Sequence, residues 1–374
     1  MKFKLIFILF LYACFTGCST KDDRPVIPNY SKKSIAVRSL DIDSVVIDAS
    51  NTSSMGFFYM EDSLIYFIDK MFASLYTYGL DGQYIDRYLG RGNGPNELPH
   101  IRKIFPTDSG KVLYGFDSGN MMYEIDKTDW TVSKKGIIDF GWGKRKVSGT
   151  DPTSPSMYKY NVLNYFNFSF EEIPGTDKMI FPVHSESRNY SGSSVSSNAD
   201  FYYKTARIFG VLDKNSVKVD KVFGYKSDLY NSYKYIPNFE GMSFTIKNAD
   251  TIFVNFFPDP LIYSYKFSED NPTYSFGNGG VDMRQDYPVT HSYDEAVKRL
   301  QSDAMEYGYY ATLKYIHETN LLFRGYYKGG NPGSDGLQIY KGTTLIADVD
   351  APSFSGHRIQ GAILLCGKVL AGSV

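Results

Sequence analysis

The stretch SLIYFIDKMFASLYTYGLDGQYIDRYLGRGNGPNE, residues 63–97, indicates the fold of the chain. It contains three short runs rich in β-branched and aromatic residues, and Asp81-Gly82 separates the second run from the third. Glycine accepts the positive φ that a tight hairpin turn needs, so these runs predict antiparallel strands. The glycine-rich segment that follows has no Gly-Lys-Ser/Thr motif and no helical pattern after it, which favours a crossover between sheets over a nucleotide-binding loop.

The same order of strand, turn, strand, loop, strand, turn and strand recurs along the chain. Units of this kind begin near residues 55 and 101, and later ones contain KMIFPVHS, TIFVNFF and NLLFRGYY. Repeated units of four antiparallel strands are typical of β-propeller blades. Residues 34–48 resemble the last two strands of a unit and residues 359–374 the first two, so both ends together predict a sixth blade.

The expected fold is therefore all-β, a six-bladed β-propeller of four-stranded antiparallel blades, over residues 33–374 and closed by both termini. A seventh blade stays open, because the polar insertion near residues 185–200 could hide strands. Ser292-Tyr293-Asp294-Glu295 has the pattern of a capping box, and the apolar residues after it predict a short helical insertion.

The N-terminus has the pattern of a lipoprotein signal peptide. Lys2 and Lys4 precede an apolar run, and Phe15-Thr16-Gly17-Cys18 closes it. This pattern predicts a signal peptide over residues 1–17, lipid attachment at Cys18 and a polar tether over residues 18–32. The chain would then contact the membrane through its lipid alone. With Cys14 removed and Cys18 lipidated, Cys366 has no partner for an intrachain disulfide.

Composition excludes some classes of function. The chain carries 40 basic and 41 acidic side chains, a net charge of −1, and no basic cluster of the kind that binds nucleic acid. No GxSxG, HExxH or CxxC motif is present, and the five histidines lie without metal-ligand spacing. A nucleic-acid partner is therefore not expected, and no cofactor is predicted from a motif.

Loop length distinguishes the two ends of the predicted ring. The turns between the first and second strands of a unit, and between the third and fourth, are short. All long segments fall at the other end, which we call the long-loop face; they are residues 90–99, 141–158, 185–200, 278–310 and 328–336. Binding sites on rigid scaffolds are usually built from such loops, so this face is the predicted binding surface.

Alignment of the second strands brings Asp69, Asp117 and His184 into one column at the long-loop face. Two carboxylates and an imidazole could hold Ca²⁺ or a transition metal in the central channel, or they could cap turns where the strands end. The column offers fewer oxygen ligands than a metal-dependent hydrolase would need. The candidate ligand-binding residues are Asp69, Arg91, Glu97, Asp117, His184, Tyr326 and Tyr327.

The Cys18 motif, the Lys21-Asp22-Asp23 tag, the blade units and the crossover GRGNGPNELP together resemble the TolB-like six-bladed propeller lipoproteins of Bacteroidota. The crossover is similar to the joint of NHL-type repeats. The resemblance implies an outer-membrane lipoprotein exposed on the cell surface. The leading hypothesis is a non-catalytic propeller that binds a glycan, a peptide or an envelope protein. The alternative is a propeller hydrolase or lyase of lactonase or esterase type that uses Asp69, Asp117 and His184.

Overall fold

The computed structural model describes residues 24–40, 45–61, 63–107, 109–117, 119–141, 155–157, 169–184, 199–233, 235–330 and 334–352. Within these residues the chain forms five blade sheets in sequence order, each built on an antiparallel meander; in the third, two short strands pair with the same neighbour. We call them blades I to V. Each predicted repeat unit corresponds to one blade, so the expectation of an all-β propeller-like arrangement of four-stranded blades is confirmed.

The strands are short, and the apolar ones lie in the middle of each blade. Blade I is β2 (Gly56–Glu61), β3 (Leu64–Asp69), β4 (Ser74–Gly79) and β5 (Tyr84–Tyr88). A two-stranded crossover follows, β6 (Gly90–Arg91) with β7 (Glu97–Leu98). Blade II is β8 (Lys103–Pro106), β9 (Val112–Phe116), β10 (Met121–Asp126) and β11 (Val132–Ile137).

The other three blades follow the same order. Blade III is β12 (Ser156–Met157), β13 (Glu171–Glu172), β14 (Lys178–His184), β15 (Arg207–Asp213) and β16 (Lys218–Tyr225). Blade IV is β17 (Met242–Ile246), β18 (Thr251–Phe256), β19 (Ile262–Lys266) and β20 (Tyr274–Phe276). Blade V is β21 (Tyr309–Ile316), β22 (Leu321–Tyr327), β23 (Ser334–Lys341) and β24 (Thr344–Pro352).

Apolar side chains between consecutive blades form the core. Each blade buries the side chains of its two central strands against its neighbour, because alternate residues of a strand point to opposite sheet faces. Residues of neighbouring blades that share one apolar cluster, from blades I and II to blades IV and V, include Ile68 with Leu113, Phe116 with Phe181, Phe209 with Phe244, and Phe253 with Leu322. Packing of this kind fixes the positions at which the loops leave the strands.

The prediction of six blades is wrong: in the described part of the chain there are five. Residues 34–48 were expected to supply two strands of a sixth blade. Instead β1 (Lys32–Val37) pairs in parallel with β24 as an additional strand of blade V. The outer edge of β24 would otherwise leave unpaired backbone groups, which an extended segment can satisfy. Ile47 packs against blade I, and residues 359–374 lie outside the described residues.

The segment before β1 also lies along the ring. Pro28 and Tyr30 exchange backbone hydrogen bonds with Ser275 of β20, at 2.8 Å and 2.9 Å, and the Tyr30 ring contacts that of Tyr274. Arg24 forms an ion pair with Asp228. This attachment begins upstream of residue 33, where the propeller was predicted to start. The predicted signal peptide and Cys18 lie outside the described residues.

Helical insertions lie on the long-loop face of blades III to V. They are α1 (Ala199–Thr205), α2 (Leu229–Tyr233), a 3₁₀ turn (Pro237–Phe239) and α3 (Tyr293–Glu306). The predicted helical insertion is α3, and Ser292 Oγ accepts a hydrogen bond from the backbone N–H of Glu295. Ala296 of the predicted apolar stripe is buried, whereas Val297 and Met305 are exposed. The stripe is therefore only partly used for packing on the ring.

Candidate functional site

Asp69 ends β3 and stabilises the loop that connects it to β4. Its carboxylate accepts hydrogen bonds from the backbone N–H groups of Ser53, Met71 and Phe72, and from the Ser53 hydroxyl, at 2.6–2.9 Å. The side chain is fully buried. The bonds from Met71 and Phe72 are local, which is the geometry of a residue that caps a turn, and those from Ser53 tie this turn to the segment before β2.

Asp117 has the same role after β9. It accepts hydrogen bonds from the backbone N–H groups of Gly119 and Met121 and from the Tyr123 hydroxyl, at 2.8–3.1 Å. Both carboxylates of the predicted column are therefore engaged in the turns of their own blades. Among the described residues, no three His, Cys, Asp or Glu side chains come together in an arrangement that could hold a metal.

His184 ends β14 and contacts α1 instead of the other members of the column. The Tyr202 hydroxyl lies 3.0 Å from His184 Nδ1. Burial, together with the nearby Lys226 charge, lowers the pKa of His184 to about 3. The imidazole is consequently neutral at physiological pH and joins blade III to the insertion above it.

This environment makes stability depend on pH. Below pH 6.5 the unfolded chain binds a proton at His184 that the folded chain excludes down to about pH 3, so the free energy of unfolding falls as pH decreases through this window. The limiting slope is about 1.4 kcal/mol per pH unit for one proton. We expect His184→Asn, which keeps an acceptor for Tyr202, to flatten the slope between about pH 6.5 and 5 in urea unfolding. The exposed His317→Asn is the control, and equal slopes in wild type and His184→Asn would contradict the expectation.

Arg91 and Glu97 lie in the crossover between blades I and II, at the outer edge of the ring. The backbone carbonyl of Pro95 accepts a hydrogen bond from Val132 N–H at the start of the outer strand β11. Glu97 Oε2 accepts from Gly94 N–H at 2.9 Å, and a Cβ on Gly92 would lie 1.9 Å from the same oxygen. Glu97 therefore holds the loop closed, and a side chain at position 92 would displace its carboxylate. Arg91 is exposed.

Tyr326 and Tyr327, the last two residues of β22, are packing residues of blade V. Tyr326 is buried and donates a hydrogen bond to Asp348 at 2.8 Å, and its hydroxyl accepts one from Val281 N–H at 3.0 Å. The Tyr327 ring lies 4.6 Å from that of Tyr309. The predicted site residues thus have separate structural roles. The two aspartates cap turns, Glu97 closes its loop, and the two tyrosines pack in blade V. The predicted site residues do not converge on one pocket.

The insertions cover the blade III to V half of the long-loop face. Aromatic side chains fill the space beneath them and pack against one another, so they do not form an exposed stacking platform. The buried aromatic residues of this layer are Tyr202, Tyr203, Tyr230, Tyr235, Phe239, Tyr287 and Tyr309. The helices α1 and α2, which the sequence analysis missed, are each too short to show a helical apolar period.

The inner end of blade I remains accessible on the same face. Met55 precedes β2, and Met71 and Phe72 form the turn that Asp69 caps; their exposed fractions are 56 %, 48 % and 44 %. Lys70 lies in this turn, and Lys103 opens the neighbouring inner strand β8. We call these five residues the blade I rim. The sequence analysis missed them, although two large apolar residues in a turn were an available signal, because turns are normally polar.

A second accessible region lies at the opposite end of blade I. Residues 45–49 and the turn at residues 80–83 line an open depression of about 810 Å³. Its two carboxylates are engaged locally, since Asp48 accepts from Ser50 N–H and Asp81 from Gln83 N–H. This depression carries no basic side chain and is shallow, so it offers fewer recognition groups than the rim.

Comparison with solved structures supports the fold. A member of the DUF4221 family from Bacteroides vulgatus is similar over 80 % of this chain and 81 % of its own, with a TM-score of 0.57 and 11 % identity. An exported protein from Bacteroides fragilis is similar over 87 % and 80 %, with a TM-score of 0.45 and 15 % identity. No protein-family model and no curated protein matches the sequence. At such identity the first likeness shows a shared propeller-like fold alone, and membership of the TolB-like or NHL-like proteins stays a prediction.

In the described ranges no helix combines the length and the apolar character needed to cross a bilayer.

Proposed function

We propose that the protein is a surface-anchored, non-catalytic lipoprotein that binds a glycan, a peptide or an envelope protein through its long-loop face, at the blade I rim. The observation that carries this proposal is the exposure of Met71 and Phe72 on a rigid turn, with the exposed Met55 beside them. Large apolar side chains exposed together at one place commonly mark an interaction surface. The four hydrogen bonds to Asp69 hold the turn in one conformation, which reduces the entropy lost on binding.

The proposed lipid anchor and the proposed location at the cell surface rest on the sequence. Cys18, after an apolar signal, supplies the lipid, and Lys21-Asp22-Asp23 is the basis for exposure at the outer face of the outer membrane. These parts of the proposal rest on residues 1–23 and can be tested separately, by labelling with a lipid precursor and by protease accessibility on intact cells.

The hydrolase or lyase alternative has weaker support. It required Asp69, Asp117 and His184 to act together around the channel. Each of these side chains has partners in its own turn or in α1, and a shared function would require those contacts to break. No specific observation on the described residues favours catalysis over binding.

Binding at the rim predicts a specific mutational pattern. The double variant Met71→Gln with Phe72→Gln should lower ligand capture by the immobilised protein at least about tenfold, which corresponds to about 1.4 kcal/mol. Capture would be quantified from a panel of glycans, a peptide library and a detergent extract of envelope proteins. The matched control is Leu80→Gln with Ile85→Gln, which changes two exposed apolar residues of the same blade away from the rim. A loss in the control alone, or an equal loss in both variants, would place the ligand elsewhere.

A further inference from the structure

A group of basic side chains lies at the blade I rim. The ammonium groups of Lys103 and Lys70 lie 4.6 Å and 5.7 Å from the centre of the same Phe57 ring. Arg102 directly precedes Lys103. Burial of Lys70 lowers the pKa of Lys70, and the charge of Arg102 lowers it further. Three cationic side chains from two blades therefore lie close enough to repel one another.

Lys103 is the member of this group that stands out. Its ammonium contacts the rings of Phe57 and Phe105, at 4.6 Å and 5.7 Å. In the part of the chain that the structure describes it forms no ion pair. Burial and the Lys70 charge lower its pKa to about 7. A desolvated cation that lacks an anionic partner is costly, and an anion supplied by a ligand would compensate it.

The surroundings of the cluster narrow the choice of anion. Met55, Met71 and Phe72 are exposed beside it, and methionine side chains adapt to varied apolar partners. A sugar would instead require hydrogen-bonding side chains and flat aromatic faces. Of the polar groups next to the rim, Ser53 and Asp69 are already bonded to each other and to the turn. The combination fits a peptide in which a carboxylate adjoins an apolar side chain.

We propose that the blade I rim binds a carboxylate group of a peptide, which pairs with Lys103, while Met55, Met71 and Phe72 contact the apolar side chain next to it. This inference rests on the proposed function, because it names the ligand class for the same surface. Electrostatic complementarity supplies the specificity and the apolar rim supplies contact area.

The direct test uses two synthetic peptides, one with repeated Leu-Glu pairs separated by Gly-Ser spacers and the other with Leu-Gln pairs. At pH 6.5 we expect the acidic peptide to bind wild-type protein at least about tenfold more tightly than its amide counterpart. Lys103→Met should abolish this ratio. The control Lys111→Met removes an exposed lysine from a turn at the other end of the same blade and should keep the ratio.

Proton uptake gives a second readout that a loss of packing would not mimic. Pairing with a carboxylate raises the pKa of Lys103, so binding above about pH 7 should take up as much as one proton. Calorimetry in two buffers of different ionisation enthalpy measures this uptake. Affinity for the acidic peptide should fall as pH increases from about 7, and both effects should be absent in Lys103→Met.

Folding of the variant is checked independently. Lys103→Met removes a desolvated charge, so its free energy of unfolding at neutral pH should equal or exceed that of wild type. In the wild type the unfolded chain retains the Lys103 proton to higher pH than the folded chain does. Stability should therefore increase between about pH 7 and 10, and this increase should be smaller in the variant.

Each negative outcome has a distinct meaning. The inference is overturned if both peptides bind equally, if Lys103→Met keeps the preference, or if neither peptide binds. Binding of polygalacturonate or chondroitin sulfate that depends on Lys103, with no binding of the acidic peptide, would overturn the peptide assignment. The proposed function fails on separate results, namely if the Met71→Gln and Phe72→Gln variant captures ligand as well as wild type does, or if the Leu80→Gln and Ile85→Gln control loses capture to the same extent.

Discussion

Arg324→Met should unfold the protein at a much lower urea concentration than wild type, with a loss of about 3–5 kcal/mol in the free energy of unfolding. Arg324 lies in the middle of β22 and is completely buried. Its guanidinium donates to the backbone carbonyls of Pro260 and Asn278, at 2.9 Å and 2.6 Å. It also donates to the Gln338 side chain and lies 4.0 Å from the Tyr310 ring centre.

The size of this effect follows from what the variant leaves behind. Pro260 belongs to the loop after β18, and Asn278 to the crossover that leads from blade IV to blade V. Removal of the guanidinium leaves two half-buried carbonyl groups and one buried amide oxygen without this donor, at up to about 1–3 kcal/mol each. The gain from no longer burying a charge offsets part of that loss. Within the described residues Arg324 forms no ion pair; these oxygen acceptors and the charge interaction with Asp259 compensate its burial.

Two further variants test whether the hydrogen bonds of Arg324 are the source of this stability. Arg324→Lys keeps the charge but cannot reproduce the planar fork of donors, so it should lose almost as much stability as Arg324→Met. Arg284→Met removes an exposed arginine paired with Asp286 and Glu306 and should cost less than about 1 kcal/mol. If Arg324→Met and Arg284→Met gave similar midpoints, the buried hydrogen bonds would not be a principal source of stability.

The blade pattern was readable from sequence because it depends on local chemistry. Gly82, at the turn expected from Asp81-Gly82, has a φ of +82°, and β4 pairs with β5 on either side of it. Ser292 caps α3 as its sequence pattern predicts. These elements depend on neighbours within a few residues, so their signals are complete within a short window.

The blade count and the candidate site depend on long-range pairing, which left no such signal. Residues 32–37 read KKSIAV, a short run without alternation that does not distinguish a strand inside a blade from one added to its edge. The choice of the β24 edge is made more than 300 residues later in the chain. Asp69 and Lys103 show the same limit of prediction from sequence. The sequence marked the carboxylate that caps its own turn, whereas the lysine acquires its environment from Phe57 on another blade.

The second large effect is expected at Lys226 and Glu240, a buried ion pair under the insertions of blades III and IV. Their charged groups lie 3.6 Å apart, and both side chains are less than 8 % exposed. Three tyrosine rings surround Lys226 Nζ at 5.1–6.0 Å, and Tyr203 donates to Glu240 at 3.0 Å. Burial lowers the pKa of Lys226 and raises that of Glu240, while their mutual attraction opposes both shifts.

Lys226→Met and Glu240→Gln should each lower the free energy of unfolding by about 3–5 kcal/mol, because each leaves a buried charge without its counter-ion. In Lys226→Met the loss should grow as pH increases above about 4.5. There the unfolded chain releases the Glu240 proton, whereas the folded chain retains it or bears an unpaired charge. Urea unfolding between about pH 5 and 8 measures this trend. Lys266→Met breaks an exposed pair with Glu269 and should cost less than about 1 kcal/mol.

The double variant Lys226→Met with Glu240→Gln separates pairing from packing. Removal of both charges at once eliminates the desolvation penalty together with the attraction, so the double variant should be more stable than Lys226→Met alone. A double variant whose loss equals the sum of the two single losses would show that the side chains act independently. In that case the tyrosine cage, and not the ion pair, would be what attaches the insertions to the ring.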